Sequence, residues 1–138
     1  MADASVIAKW FLDEESSKAA RLLRDSFVTD EVTIAVPSLL FYETLNVLRY
    51  TQLYSPEELA SAARSLTRYG FEVWEPKGRI SEETAETSLR HDISIYDAAY
   101  VALASYLQAT LYTTDLELIQ KAPQHTKHIE HFKTNIDN

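Results

Sequence analysis

Four acidic residues have no charged neighbour within three positions on either side, namely Asp3, Glu43, Asp97 and Asp137. Asp137 lies next to the chain end and needs no special explanation. Asp115 nearly meets the same condition, because its one charged neighbour is another acid, Glu117. A carboxylate in apolar surroundings is paired, hydrogen-bonded or bound to a cation, since an unpaired buried charge is costly. These acids are therefore the first candidates for chemistry.

Glu43 and Asp97 have no Lys or Arg within helical reach. Carboxylates that converge without a counter-charge repel one another, and their pKa values rise. Mg²⁺ or Mn²⁺ removes this repulsion, because hard cations prefer oxygen ligands. A cation held in this way activates water and binds phosphoryl oxygens. The net charge of −8 therefore does not exclude a polyanionic substrate.

Three of these acids also have an ordinary structural interpretation. Asp97 lies three residues after Ser94, which is the spacing of a helix-capping pair. Asp115 precedes a helical stretch and could cap it. Asp3, near the first residue, could simply be exposed. Glu43 is the hardest to explain in this way, because apolar residues surround it.

Composition restricts the class of protein. The 138 residues fit one domain, 1–138, and the absence of cysteine excludes a disulfide framework or a zinc ribbon. Only two glycines are present, too few for a glycine-rich phosphate-binding loop. The first residues lack a basic start and soon become acidic, so we expect no signal peptide, and no apolar stretch is long enough to span a bilayer. The sequence predicts a soluble, cytoplasmic protein with no membrane partner.

Short β-branched runs alternate with longer amphipathic stretches. The pattern predicts strands at 2–6, 32–36, 71–74 and 110–113, with a possible last edge strand at 128–132. It predicts helices at 6–12, 15–27, 39–52, 55–69, 81–90, 95–107 and 116–121. This order indicates an α/β fold with three layers, in which helices cover both faces of a mostly parallel sheet of four to five strands. The candidate acids would then meet at the carboxyl ends of the strands.

Four segments are similar to the acidic motifs of PIN domains, and most closely to the small VapC-type toxins of toxin–antitoxin pairs. The segments are Asp3-Ala4-Ser5, the Glu43 stretch Tyr42 to Leu48, the Asp97 stretch Ser94 to Ala104, and Leu111 to Asp115. Their order, spacing and total length match over nearly the whole chain. One departure is that only Met1 and Ala2 precede Asp3, which shortens a strand that is normally central.

The resemblance implies a PIN-like fold and an endoribonuclease that requires Mg²⁺ or Mn²⁺. It implies that Asp3, Glu43, Asp97 and Asp115 are catalytic and hold the metal. Ser5 and Asn46 match supporting positions, and Glu117 matches a fifth acid found in some relatives. It also implies an RNA substrate, an antitoxin partner that blocks the site, and a homodimer. The apolar stripe Leu59, Ala62, Ala63 and Leu66 is the expected dimer contact.

Other interpretations are weaker. A phosphoacceptor receiver domain needs an adjacent acid pair after the first strand, and Asp3 stands alone. A PIN-like protein-interaction module without catalysis remains the alternative function. His125, His128 and His131 are a poor metal site, since a strand would point the last two in opposite directions. Helical spacing assigns most aromatic residues, Tyr100 among them, to the core or to an interface rather than to RNA stacking.

Overall fold

The computed structural model describes residues 1–134, so Asp137 and the last part of the 1–138 domain lie outside the described residues. The helices are α1 (Ala4–Ile7), α2 (Ser17–Val28), α3 (Leu39–Tyr50), α4 (Pro56–Arg68), α5 (Arg79–His91), α6 (Ile95–Leu107) and α7 (Leu116–Lys121). The strands are β1 (Ala35–Pro37), β2 (Glu72–Trp74), β3 (Leu111–Thr113) and β4 (Thr126–His128). The α/β class expected from the sequence is confirmed.

The strands form two parallel pairs within residues 1–134. β1 pairs with β2, with Ala35 opposite Glu72, and β3 pairs with β4, with Leu111 opposite Thr126. The expected single sheet of four to five strands, and with it the three-layer arrangement, is therefore not confirmed. Each strand has only three residues, and Pro37 ends β1 because proline lacks the backbone N–H that continues a ladder.

The predicted strand at 2–6 is wrong beyond its first residues. Ala2 makes a single parallel bridge to Tyr112 of β3, and the Tyr112 N–H donates to the carbonyl of Met1 over 2.9 Å. The chain then turns into α1, because the Asp3 carboxylate accepts a hydrogen bond from the Ser5 N–H and caps the helix.

The end of the described chain also departs from the prediction at 128–132. The last strand lies earlier, at Thr126–His128, and pairs with β3. A single turn of 3-10 helix, Ile129–His131, follows it, and the buried Ile129 anchors this turn in the core.

Helix starts follow local sequence closely. Ser55 accepts a hydrogen bond from the Glu58 N–H, and the Glu58 carboxylate accepts one from the Ser55 N–H, a complete capping box ahead of Pro56. Ser94 likewise accepts a hydrogen bond from the Asp97 N–H at the start of α6. Gly70, with φ +76°, turns the chain after α4.

The core explains the apolar composition of α6. Ala98, Val101, Ala102, Leu103 and Ala104 of this helix are all buried, so most of its circumference packs inside the protein. Burying a helix on several faces requires small and apolar residues rather than an amphipathic stripe. α6 therefore passes through the core with its first turn at the surface.

The α4 stripe is largely used within the chain. Leu66 joins the main core, and Ala62 packs with Leu48 and Leu12 in a smaller cluster. This arrangement removes the reason for expecting a dimer contact at that stripe. Within residues 1–134, no helix is both long and apolar enough to cross a membrane.

Candidate active site

A cleft of about 250 Å³ contains all four candidate acids among its walls. It is lined by Asp3, Ala4, Ser5, Glu43, Asn46, Val47, Asp97, Tyr100 and Asp115. Asp3 directly follows the bridge at Ala2, and Asp115 lies two residues after the end of β3. The four acids are far apart in sequence but line one cleft. The cleft lies where β3 and the Ala2 segment paired with it end.

Asp3 is the most enclosed of the four, with 8% of its surface exposed. Its Oδ1 accepts hydrogen bonds from the Ser5 N–H over 3.1 Å and from the Ser5 hydroxyl. Burial raises the pKa of Asp3 to about 6, and these hydrogen bonds oppose the rise. These hydrogen bonds from Ser5 fix the orientation of the Asp3 carboxylate, and the supporting role expected for Ser5 stays a prediction.

Glu43 lies on α3 and is half-buried. Its Oε1 accepts a hydrogen bond of 2.7 Å from the Tyr100 hydroxyl on α6. Burial raises the pKa of Glu43, the charge of Asp97 raises it further, and the Tyr100 hydrogen bond opposes both. Glu43 therefore faces another acid across the cleft, without an ion pair to any cation in residues 1–134.

Asp97 lies in the first turn of α6, between two other acids. Burial raises the pKa of Asp97, the charge of Asp115 adds to this, and Glu117 contributes a smaller rise. The Ser94 hydroxyl and the Lys121 ammonium act in the opposite direction. The charge of Asp97 raises the pKa of Glu43, and the charge of Asp115 raises the pKa of Asp97. Asp97 therefore interacts with acids on both sides of it.

Asp115 combines the two roles considered for it. Its Oδ1 accepts a hydrogen bond from the Leu118 N–H over 3.1 Å, so it does cap α7. Its own N–H donates to the Thr113 hydroxyl over 3.0 Å. The cap engages one carboxylate oxygen, and the residue still lines the cleft, so the structural and chemical interpretations do not exclude each other.

The two remaining supporting residues differ in position. Asn46 lines the cleft one helical turn after Glu43. Glu117 lies in an adjoining pocket of about 150 Å³ that shares Asp97 and Asp115 with the cleft. There it forms an exposed ion pair of 3.2 Å with Lys121, so Glu117 stands at the rim of the acidic group.

Two residues of the site were not identified from sequence. Thr113 is fully buried, its hydroxyl lies 3.4 Å from that of Ser5, and it accepts the Asp115 N–H. Tyr100 is 2% exposed and bonds Glu43, whereas its spacing suggested only a core residue. The rule that a buried tyrosine hydroxyl needs a partner predicts a hydrogen bond for Tyr100, but it does not identify Glu43, which lies 57 positions away, as the acceptor.

The donor chemistry of the cleft fits a hard cation. Its charged lining groups are all carboxylates, and no Lys, Arg or His is among them. Among residues 1–134, no group of three or more His, Asp or Glu side chains is arranged so that it could bind one metal ion. Mg²⁺ retains several waters and needs only one or two carboxylates, so a pair drawn from the four acids is sufficient.

Two basic residues lie six positions after candidate acids, Lys9 after Asp3 and Arg49 after Glu43, and each makes a contact outside the cleft lining. Lys9 forms a 2.8 Å ion pair with Glu14. The Arg49 guanidinium lies over the Tyr50 ring, 5.0 Å from its centroid. Both are therefore engaged in contacts with residues close to them in sequence.

The fold and the cleft define a class, an α/β protein that gathers carboxylates where its parallel strands end. A model of the PIN domain matches residues 1–123. The chain belongs to the PIN domain family. It is 28% identical over 131 residues to Ribonuclease VapC3 of Pyrobaculum aerophilum. The alignment covers 88% of this chain and 92% of that relative. It is also similar to the crystal structure of PAE2754 from Pyrobaculum aerophilum, with a TM-score of 0.66, 25% identity, and coverage of 94% of this chain and 89% of that one.

Proposed function

We propose that the protein is a metal-dependent endoribonuclease that hydrolyses RNA phosphodiesters and acts as the toxin of a type II toxin–antitoxin pair. The observation that carries the proposal is the gathering of Asp3, Glu43, Asp97 and Asp115 around one cleft with no cation in its lining. Membership of the PIN domain family and similarity to a protein named a VapC ribonuclease support it.

A pair of carboxylates drawn from Asp3, Glu43, Asp97 and Asp115 would hold Mg²⁺ or Mn²⁺. When bound, such an ion lowers the pKa of water and neutralises charge on a phosphate. The chain's own residues prepare the site: Ser5 orients Asp3, and the Leu118 N–H orients Asp115. Burial raises the pKa values of Asp3, Glu43 and Asp97. The charges of Asp97 on Glu43 and of Asp115 on Asp97 add to this, and a bound cation would relieve that repulsion.

The expected partners follow from the same assignment. The cleft would receive an RNA phosphate, whose charge a bound cation would neutralise, and an antitoxin protein that covers the cleft would inhibit cleavage. The homodimer and the cytoplasmic location stay predictions, and the α4 stripe no longer supports the dimer because it packs within the chain. A catalytically silent interaction module is disfavoured, since such a protein has no need to keep Asp97 beside the like charges of Glu43 and Asp115.

The test is cleavage of a fluorescently labelled random-sequence RNA library with and without divalent metal. We expect cleavage with Mg²⁺ or Mn²⁺, none with EDTA, and recovery when the metal is restored. Asp97→Asn should lose most activity, because a neutral amide is a poor ligand for a hard cation. Asp13→Asn is the matched control, since the Asp13 side chain is 95% exposed and lies outside the cleft.

Metal-independent cleavage, or full activity in Asp97→Asn, would contradict the proposal. Absence of cleavage under every condition, together with tight binding of a protein partner, would support the silent module instead.

A further inference from the structure

Glu43 depends on a single side chain for its orientation. Within residues 1–134, its carboxylate accepts one hydrogen bond, from the Tyr100 hydroxyl over 2.7 Å, and it joins no ion pair. Asp3 and Asp115, by contrast, are held by backbone N–H groups close to them in sequence. The Glu43 side chain is also longer, so it loses more rotational freedom when it is fixed.

Tyr100 donates the hydrogen bond to Glu43 from a side chain that is packed in the core. Its ring is 2% exposed within the core-forming part of α6, while its hydroxyl reaches the cleft. Burial and the neighbouring charges of Glu43, Asp3 and Asp97 raise the pKa of Tyr100 far above its usual range. The neutral hydroxyl is a hydrogen-bond donor, and it donates to Glu43 in this geometry.

We propose that Tyr100 is the positioning residue for Glu43: its hydroxyl holds Oε1 and leaves Oε2 available for the cation. This inference rests on the proposed metal-dependent function. Partners that orient a metal ligand typically contribute a factor of about 10 to 100 in metal affinity or activity. Loss of the Tyr100 hydroxyl should therefore weaken metal binding even though Tyr100 is not itself a ligand.

The test measures the Mn²⁺ dissociation constant by calorimetry, without RNA. Tyr100→Phe removes one oxygen and keeps the ring. Tyr54→Phe is the matched control, because the Tyr54 hydroxyl donates to the Phe11 carbonyl outside the cleft. We expect about a 10-fold or greater rise in the dissociation constant for Tyr100→Phe and no change for Tyr54→Phe. The melting temperatures of the two variants should be similar, since each loses one hydrogen bond.

A second arm repeats Tyr100→Phe in a Glu43→Gln background. With no carboxylate left to position, the substitution should add no further loss of affinity. An unchanged dissociation constant in Tyr100→Phe, or an equal loss in the Glu43→Gln background, would overturn the inference alone. A wild-type protein that binds no Mn²⁺ would overturn the proposed function and the inference with it.

Discussion

Two helices of this protein begin with the same sequence motif, a serine followed three residues later by an acid, and the acids behave in opposite ways. At the start of α4, Ser55 and Glu58 exchange hydrogen bonds, which lower the pKa of the exposed Glu58. At the start of α6, Ser94 bonds the Asp97 N–H, and burial together with Asp115 raises the pKa of Asp97. The motif begins a helix in both places. An exposed acid that completes the cap, as Glu58 does, stabilises the fold, whereas a partly buried acid beside other carboxylates, such as Asp97, destabilises it.

The largest expected effect is on the pH dependence of stability in the metal-free protein. The pKa of Asp3 is about 6 in the folded state against an ordinary value of 3.8, so the folded state binds more protons between these values. The free energy of unfolding should therefore fall as pH rises from about 4 to about 6, by up to about 3 kcal/mol. Denaturant titrations in EDTA across this range measure the slope.

Asp3→Asn should flatten this slope and leave the helix cap in place, because asparagine caps as well as aspartate. Asp13→Asn should preserve the slope. Glu58 contributes in the other direction, since its lowered pKa gives stability that is lost as the pH falls through that pKa. A slope that Asp3→Asn does not change would contradict the assigned burial of Asp3.

A smaller effect separates the two serine caps. Ser55→Ala and Ser94→Ala should each lower the free energy of unfolding by about 1 kcal/mol. Only Ser94→Ala should also reduce RNA cleavage, because the first turn of α6 carries Asp97 and the Ser94 hydroxyl lowers the pKa of that acid. Denaturation and cleavage rates measured on both variants make the comparison, and an equal loss of cleavage in both would remove the distinction.

The smallest expected effect is on the melting temperature of the metal-free protein, measured in EDTA at pH 7 for variants of Asp97 and Glu58. Asp97→Asn should raise the melting temperature, because it removes repulsion from Asp115 and Glu43. Glu58→Ala should lower it, because the Ser55 N–H loses its acceptor. If Asp97→Asn instead destabilises the metal-free protein by more than about 1 kcal/mol, Asp97 serves chiefly as part of a cap.

Local chemistry accounts for what the sequence predicts well. The starts of α4 and α6 and the span Leu116–Lys121 agree with prediction, because caps and prolines act over a few residues. The absence of charged neighbours in the sequence identifies Asp3, Glu43 and Asp97, which are three of the four acids that line the cleft. Both signals can be read within a window of about ten residues.

Long-range pairings account for what the sequence does not predict. Ser5 meets Thr113 across 108 positions, and Tyr100 meets Glu43 across 57. The strand predicted at 2–6 is wrong for a local reason. Apolar residues in Ala4–Ile7 suit a buried helix as well as a strand, and the Asp3 cap favours the helix. The pairing of strands into two short ladders depends on contacts of the same long-range kind.

The most direct test of the central claim is anomalous X-ray diffraction from crystals grown or soaked with Mn²⁺. The proposed function predicts a manganese peak in the cleft lined by Asp3, Glu43, Asp97 and Asp115, with carboxylate oxygens as protein ligands, and no peak there in Asp97→Asn crystals. A Mn²⁺-treated crystal with no peak in this cleft, or with its peak only at other residues such as the histidines at 125, 128 and 131, would contradict the assignment of these acids as the metal site.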